Sequence, residues 1–405
     1  MRNDIFSKQK LIGVIYLLSI LSISSVLFSF AISSILEIFL LILFVFYGIK
    51  YGLTFSKDRF KYFIFLQLPF IACLLSLIYT DDFYSTFKVL SKEVNVVLFS
   101  TTIFFVEPLD KKGRKQLEIL FTIIVLISYI VSWIKGITLY LQSGRFLYFG
   151  DLESITLIQH NYLGLYGIMA CVLLIKNLWN YNFYQKSFVF IGCIIVIPFI
   201  IFISSRTNII LAFILISLLV ANRIIKNGFQ FKTLLGTFLV FLIAGILLLN
   251  SESTIYRFKR ILDDKNNPRS LIWKCSLDLI RNNSELLTGV GAGNTQAMLD
   301  DCVSKNSNRK DWLNLHTHNQ YLSYLFRYGY LQTIMIFLGF MLIFNRAIQQ
   351  KNILLFVVCL SILIIGMTEN YMDRRYGQMF YAIFMSMYLI CGIDNKKNKA
   401  FKFIN

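Results

Sequence analysis

Imidazole is scarce in this chain. It has three histidines in 405 residues, and two of them fall inside one stretch, LHTHNQYL at 315–322. Charge is sparse too, at 15% of residues against 57% hydrophobic, so polar residues act as short punctuation between apolar runs. The runs lack the period-two alternation of a barrel strand, and lipid admits only helices or closed barrels. About twelve runs approach the roughly 20 residues that carry a helix across about 30 Å of hydrocarbon. They start near Leu11, Ile35, Tyr62, Val89, Leu117, Ile158, Phe188, Ile209, Leu234, Tyr321, Ile353 and Met379. This predicts a single all-α polytopic membrane domain over 1–405. No A-x-A-like site follows the first run and a second run comes almost at once, which excludes a cleavable leader.

What is present orients the spans. Lys and Arg number 40 against 22 Asp and Glu, a net charge of +18. With the N-terminus in the cytoplasm, alternate loops read FSKDRFKY, DKKGRKQ, KNLWNYNFYQK, NRIIKNGFQFK and NRAIQQK, and the tail reads DNKKNKAFK. All are basic, as the positive-inside rule requires, and both termini then face the cytoplasm. The basic excess thus sets topology and meets anionic headgroups, and no nucleic-acid partner is expected. Cys73, Cys171, Cys193, Cys359 and Cys391 fall in apolar spans as small packing residues. Cys275 and Cys302 lie in a long outside loop at 250–318, where an oxidising compartment lets them pair if their geometry allows.

That loop is the only segment large enough for a structured extramembrane unit. Leu271, Ile272, Cys275, Leu279 and Ile280 have helical spacing, which predicts an amphipathic helix lying on the bundle. About 65 residues would give a free domain only a marginal core. All three histidines fall outside or at the outer boundary, with Arg145, Arg206, Arg257, Arg260, Arg269, Arg281, Arg374 and Arg375, while lysines dominate inside. A guanidinium grips phosphate oxygens bidentately and keeps its charge. Arg206, in ISSRTNII at a hairpin tip, has two open readings: snorkelling to headgroups, or an anion site facing the bundle interior. Arg374 and Arg375 follow Glu369 and Asp373 closely, so local ion pairing stands beside substrate contact as a reading of them. Glu37 is one of few charges embedded in a span.

GVGAGN at 289–294 lacks the strand–turn–helix context of a nucleotide fingerprint. It reads better as a turn bringing backbone close to a neighbour or a ligand, with amides able to serve an anion site. His316 and His318 are two residues apart and lack the Cys or carboxylate cluster that a zinc site needs. No nucleophile-elbow sequence supports hydrolase chemistry. What remains is a histidine at the start of a transmembrane helix, whose N-terminus favours anions. A neutral imidazole there can act as a general base; a simple interfacial histidine is the alternative. Trp273 and Trp312 could stack on sugars, though packing suits Trp273 better.

QHNYLGLY after the fifth span, SSRT at a hairpin tip, PRSLIWKCSLDLI, GVGAGN and HTHNQYL leading to Gly329 follow one another in that order. Together they resemble the O-antigen ligase family of membrane glycosyltransferases, which also holds O-antigen polymerases and protein oligosaccharyltransferases. The family pattern of His, then Asn, Ser or Gln, then nine residues and Gly is met by His318, Asn319 and Gly329. The resemblance spans about 140–390 and includes the twelve-span layout. It implies a bacterial inner-membrane enzyme acting on its periplasmic side without metal or cofactor. The implied donor is an undecaprenyl-diphosphate-linked glycan, and the acceptor is lipid A–core or a second lipid-linked glycan. His318, Arg206 and Arg269 look like the essential residues, and Arg145, His160, Asn161, Asn319, Gly291 and Gly293 are expected to help bind substrate. Tyr330, Leu331 and Gln332 depart from the further Gly or small residue that ligases often carry, which leaves a polymerase in contention. A lipid-linked glycan flippase is the competing class, and should carry charges deep within its spans.

Overall fold

The computed structural model describes residues 7–144, 155–156, 158–176, 183–202, 205–227, 268–282 and 287–401. Among them are thirteen α-helices and no strand. The first five are α1 (Lys8–Ser25), α2 (Phe30–Tyr51), α3 (Lys57–Ser76), α4 (Phe83–Phe104) and α5 (Lys111–Ser143). Next come α6 (His160–Lys176), α7 (Phe183–Phe202) and α8 (Arg206–Asn227). The rest are α9 (Pro268–Asn282), α10 (Thr295–Asn306), α11 (Gln320–Gln349), α12 (Ile353–Gly366) and α13 (Arg375–Phe401). Six of them (α2, α3, α5, α7, α8 and α11) are long and apolar enough to cross a membrane, and α6 and α12 are shorter apolar helices. The architecture is that of a helical, multi-pass membrane protein. Every expected run coincides with a helix except that near Leu234, which lies outside the described residues together with Arg145, Arg257 and Arg260.

The chain gathers into two compact units, one of residues 1–19, 37–110 and 264–405, the other of residues 20–36 and 111–263. In the first, α3, α4, α11 and α13 pack together, α12 lies against α11 and α13, and α9 rests on α10 and α11. Polar side chains start these helices: Ser56, Asp82, Asn319 and Asn352 each accept from the first-turn amides that lack a helical partner. In the second unit α6 touches α5, α7 and α8. It is buried on nearly every side, which suits a helix that is apolar all round.

α11 is broken once, at Gly329, whose φ of 67° and ψ of −175° no helix can hold. The break frees backbone groups, and the glycine-rich turn satisfies them. The amide of Val290 donates to the carbonyl of Phe326 at 3.1 Å, Gly291 to Arg327 at 3.0 Å, and Leu331 to Leu287 at 3.3 Å. A Cβ on Gly289 would stand 2.5 Å from the amide nitrogen of Gly329, so both backbones require glycine for space as well as for φ.

The polar segment between α8 and α11 builds a small core of its own. Ile272, Cys275, Ile280, Val290, Leu299, Val303 and Trp312 gather on Phe326 of α11, and Cys275 and Cys302 form a disulfide joining α9 to α10. Trp312 is buried there, with the guanidinium of Arg309 over its ring at 5.4 Å. Sugar stacking by Trp312 is therefore corrected to a packing role.

Embedded charge is more plentiful than Glu37 alone suggested. Arg59, Glu93, Glu118, Arg327 and Arg346 are all buried within helices. Arg59 donates to the carbonyls of Phe104 and Val106 at 3.1 Å each, and Glu118 pairs with Lys176 at 3.2 Å. Arg327 pairs with Asp373. Such partners are what make the buried charges of Arg59, Glu118 and Arg327 tolerable, whereas neither carboxylate oxygen of Glu93 has a hydrogen-bond partner among the described residues.

Candidate active site

The histidine segment HTHNQ turns a chain of irregular backbone into α11. His318 sits in the left-handed region at φ 48°, and Asn319 follows at φ −154° as the N-cap. A left-handed non-glycine residue costs roughly 1–3 kcal/mol and persists only where its surroundings impose it. Three neighbours impose it here. The indole N–H of Trp273 on α9 donates to the carbonyl of Thr317 at 2.7 Å. The Asn370 side-chain oxygen accepts from the Asn319 amide at 2.8 Å and from the Thr317 hydroxyl at 3.1 Å. The Asn319 side-chain oxygen accepts from the amides of Tyr321 and Leu322, both at 3.0 Å. Asn319 thus fixes the turn with its oxygen.

The sequence-predicted Arg269 and His318 meet on a residue that the sequence had assigned elsewhere. Glu369, just past the end of α12, places Oε1 3.4 Å from Nη2 of Arg269 and Oε2 3.6 Å from Nδ1 of His318. The Glu369 side chain is 7% exposed, that of His318 26% and that of Arg269 37%. A shielded carboxylate therefore stands behind a guanidinium and an imidazole that solvent or substrate can reach.

Behind this trio a second charged pair anchors the segment. Arg327 on α11 grips Asp373 through two contacts of 2.5 and 2.9 Å, and Asn370 donates to Asp373 at 3.0 Å. Burial alone would raise the Asp373 carboxyl, but the charge and hydrogen bonds of Arg327 override it and hold it at about 2. Burial pushes His316 below its usual value, against the pull of Asp373 and with the push of Arg327, Arg374 and His318. His316 is thus a neutral, half-buried neighbour of this pair.

The local-pairing reading of ENYMDRR is corrected. Asp373 belongs to Arg327, Glu369 faces Arg269 and His318, and Arg375 reaches Glu37 on α2 at 2.6 Å. Arg374 is exposed with no ion-pair partner among the described residues. The pairs run 46 and 100 residues apart along the chain, so adjacency in sequence misled. The signal for them was two carboxylates between two apolar spans.

The glycine turn takes a different part. The amides of Gly291 and Gly293 are engaged inside the fold, Gly293 donating to the Thr86 hydroxyl at 2.9 Å, and Asn294 accepts from the Asp82 amide at 3.0 Å. Close backbone approach to a neighbour is what these glycines provide.

In the second unit, His160 and Asn161 open α6 and Arg206 opens α8. Ser205 donates to the side-chain oxygen of Asn161 at 2.8 Å, and Asn208 donates to the Asn161 carbonyl at 2.9 Å and to Ser205 at 2.9 Å. Gly164 lies so close to Asn208 that a Cβ would overlap its side chain. QHNYLG and SRTN, starting at Ser205, are therefore two halves of one interlocked corner at the start of α8, where Arg206 is half-buried. His160 is buried in the same corner.

Residues 191–337 match the family model described as O-Antigen ligase, a segment that includes Arg206, Arg269, His318 and Gly329. No curated protein matches the chain.

Proposed function

From the O-antigen ligase domain that the chain carries at 191–337, we propose that it transfers a glycan from undecaprenyl diphosphate to an acceptor hydroxyl on the periplasmic face of the bacterial inner membrane. The observation carrying this reading is the meeting of Arg269 and His318, from separate elements, on one shielded carboxylate. The family implies a lipid-linked glycan donor and a membrane setting, and the disulfide between Cys275 and Cys302 supports an oxidising compartment for that segment.

The chemistry follows from the residue types. Diphosphate is a good leaving group, so the demand on the protein is to stabilise its growing negative charge as the anomeric C–O bond breaks. A preorganised guanidinium meets that demand, and Arg269 is exposed enough to reach a phosphate. Arg206 is a second candidate for phosphate binding, on the strength of the resemblance. The acceptor hydroxyl must lose its proton as its oxygen bonds to the anomeric carbon, and Nε2 of His318 is the base. The electron pair of the broken bond leaves with undecaprenyl diphosphate. Attack opposite the leaving group inverts the anomeric configuration. The site chemistry asks for no metal. His160, Asn161 and Arg145 belong to the proposed binding residues, Arg145 lying outside the described residues.

Lipid A–core is the proposed acceptor, which makes the enzyme a ligase. A second lipid-linked glycan would make it a polymerase using the same donor and the same residues. Reconstituted protein offered each acceptor separately decides between them. Product on lipid A–core supports the ligase, and chain lengthening on the lipid-linked glycan supports the polymerase. Transfer to neither would return the flippase reading.

A further inference from the structure

Resting on the transferase reading, we propose that Trp273 is the aromatic platform for the donor's first sugar, the one bonded to diphosphate. Its ring carries that sugar between Arg269, which holds the phosphate, and His318, which faces the acceptor hydroxyl.

α9 has two faces. Ile272, Cys275 and Ile280 turn into the small core of the segment. Arg269, Trp273 and Leu277 follow one another at four-residue spacing, which sets them on one stripe with about 5–6 Å between successive Cβ atoms. Trp273 is 37% exposed and Leu277 42%. The packing that suited Trp273 in the sequence is therefore incomplete, and part of its ring lies open one turn from Arg269. Among the described residues no aromatic ring or cation packs on that indole.

The ring is held rather than loose. Its N–H donates to the carbonyl of Thr317, the residue before His318, at 2.7 Å, and Asn370 clamps Thr317 in turn. Ile272 beside it is fully buried, and two residues on, the disulfide from Cys275 to Cys302 ties α9 to α10. Glu369 stands 3.4 Å from Arg269 and 3.6 Å from His318. Guanidinium, imidazole and indole thus border one place within a single compact unit. The bond to be broken joins the sugar's C1 to the diphosphate, so that sugar must lie beside both the phosphate-binding arginine and the base. A pyranose offers a face of C–H groups with slight positive charge, which complements the negative face of an indole. Stacking fixes the plane of the sugar and leaves C1 open to attack opposite the diphosphate. A tryptophan that seats a helix on a membrane keeps its polar N–H for the wet headgroup layer. Here the N–H is spent on the turn that carries the base, which favours a glycan as the occupant.

The test uses the full chain in nanodiscs and two probes, undecaprenyl diphosphate bare and undecaprenyl diphosphate carrying one N-acetylglucosamine. Affinity for each is measured in wild type, Trp273→Phe and Trp273→Leu. Both variants lose the N–H bond to Thr317, so the difference between them reads the ring alone. In Trp273→Leu the ratio of sugar-bearing to bare affinity should fall about 3–10-fold, with bare-lipid affinity within about twofold of wild type. Trp273→Phe should keep most of the wild-type ratio. Retained binding of the bare lipid also shows that the leucine variant is folded. A wild-type ratio in Trp273→Leu would overturn the platform and leave the transferase reading standing. Equal weakening of both lipids would likewise overturn it, and would assign Trp273 to seating α9 on the membrane or on the fold. Wild type that binds neither lipid would refute the transferase reading and the platform with it.

Discussion

Two turns act on α11, one at its start and one at its break, and they divide the labour of the site. At the break, GVGAGN puts its amides into carbonyls of α11 and a threonine hydroxyl, and its glycines press backbone on backbone. At the start, HTHNQ satisfies its backbone through Trp273 and Asn370, leaving the His318 ring partly exposed before Glu369. The glycine turn resembles an anion cradle in sequence but makes a joint. The histidine turn has no metal-ligand spacing, yet it holds the proposed base, His318. Engagement of polar groups, rather than motif shape, separates the two.

Substitutions should fail in opposite ways in the two turns. The largest effect is expected from His318→Ala, a kcat loss of about 10²–10⁴-fold with thermal stability close to wild type, measured by glycan transfer and by melting in detergent. Asp373→Asn should come next. It leaves Arg327 buried without its partner, at a cost of about 3–5 kcal/mol, read as a fall in unfolding midpoint. The Asp373 contribution is present above its unfolded value near 3.9. It is lost as pH falls through about 2, so the asparagine variant should be weaker at neutral pH and converge on wild type only in strong acid.

Gly329→Ala should cost about 2–4 kcal/mol from its left-handed φ and the contact with the glycine turn, while KM stays unchanged in the protein that folds. The opposite pattern, a stable Gly329→Ala protein with weakened donor binding, would restore the cradle reading. The smallest effect concerns His316. Its folded value lies below the unfolded one, so the native state binds fewer protons and stability falls as pH drops below about 6.5. His316→Gln should flatten that fall, seen by comparing melting midpoints at pH 7.5 and 5.5.

Much of the fold was legible because lipid leaves few options. Apolar runs of helical length located the helices from Leu11 to Met379, and the histidine read at the start of a transmembrane helix does stand just before the Asn319 cap of α11. The amphipathic spacing of Leu271 to Ile280 gave α9, though not the core that it closes with α10 and Phe326. Residue chemistry brought out the outer histidines and arginines, and the resemblance to the O-antigen ligase family singled out His318 and Arg269 among them. Glu369 was missed because ion pairs were sought among neighbours in ENYMDRR, whereas its partners lie on other elements. Buried charges such as Glu93 and Arg346 escaped notice because one charge hardly alters a window of apolar residues. Register along a sequence cannot reveal which distant groups a packed helix brings together.

The central claim is that His318, beside Arg269 and Glu369, carries glycosyl transfer. Its most direct test is the initial rate of glycan transfer from undecaprenyl-diphosphate donor by reconstituted wild type, His318→Ala and Gly329→Ala, each normalised to folded protein. The account predicts that His318→Ala retains its fold and loses at least about a hundredfold in rate, while Gly329→Ala keeps its rate per folded molecule. A His318→Ala protein transferring at the wild-type rate would contradict it.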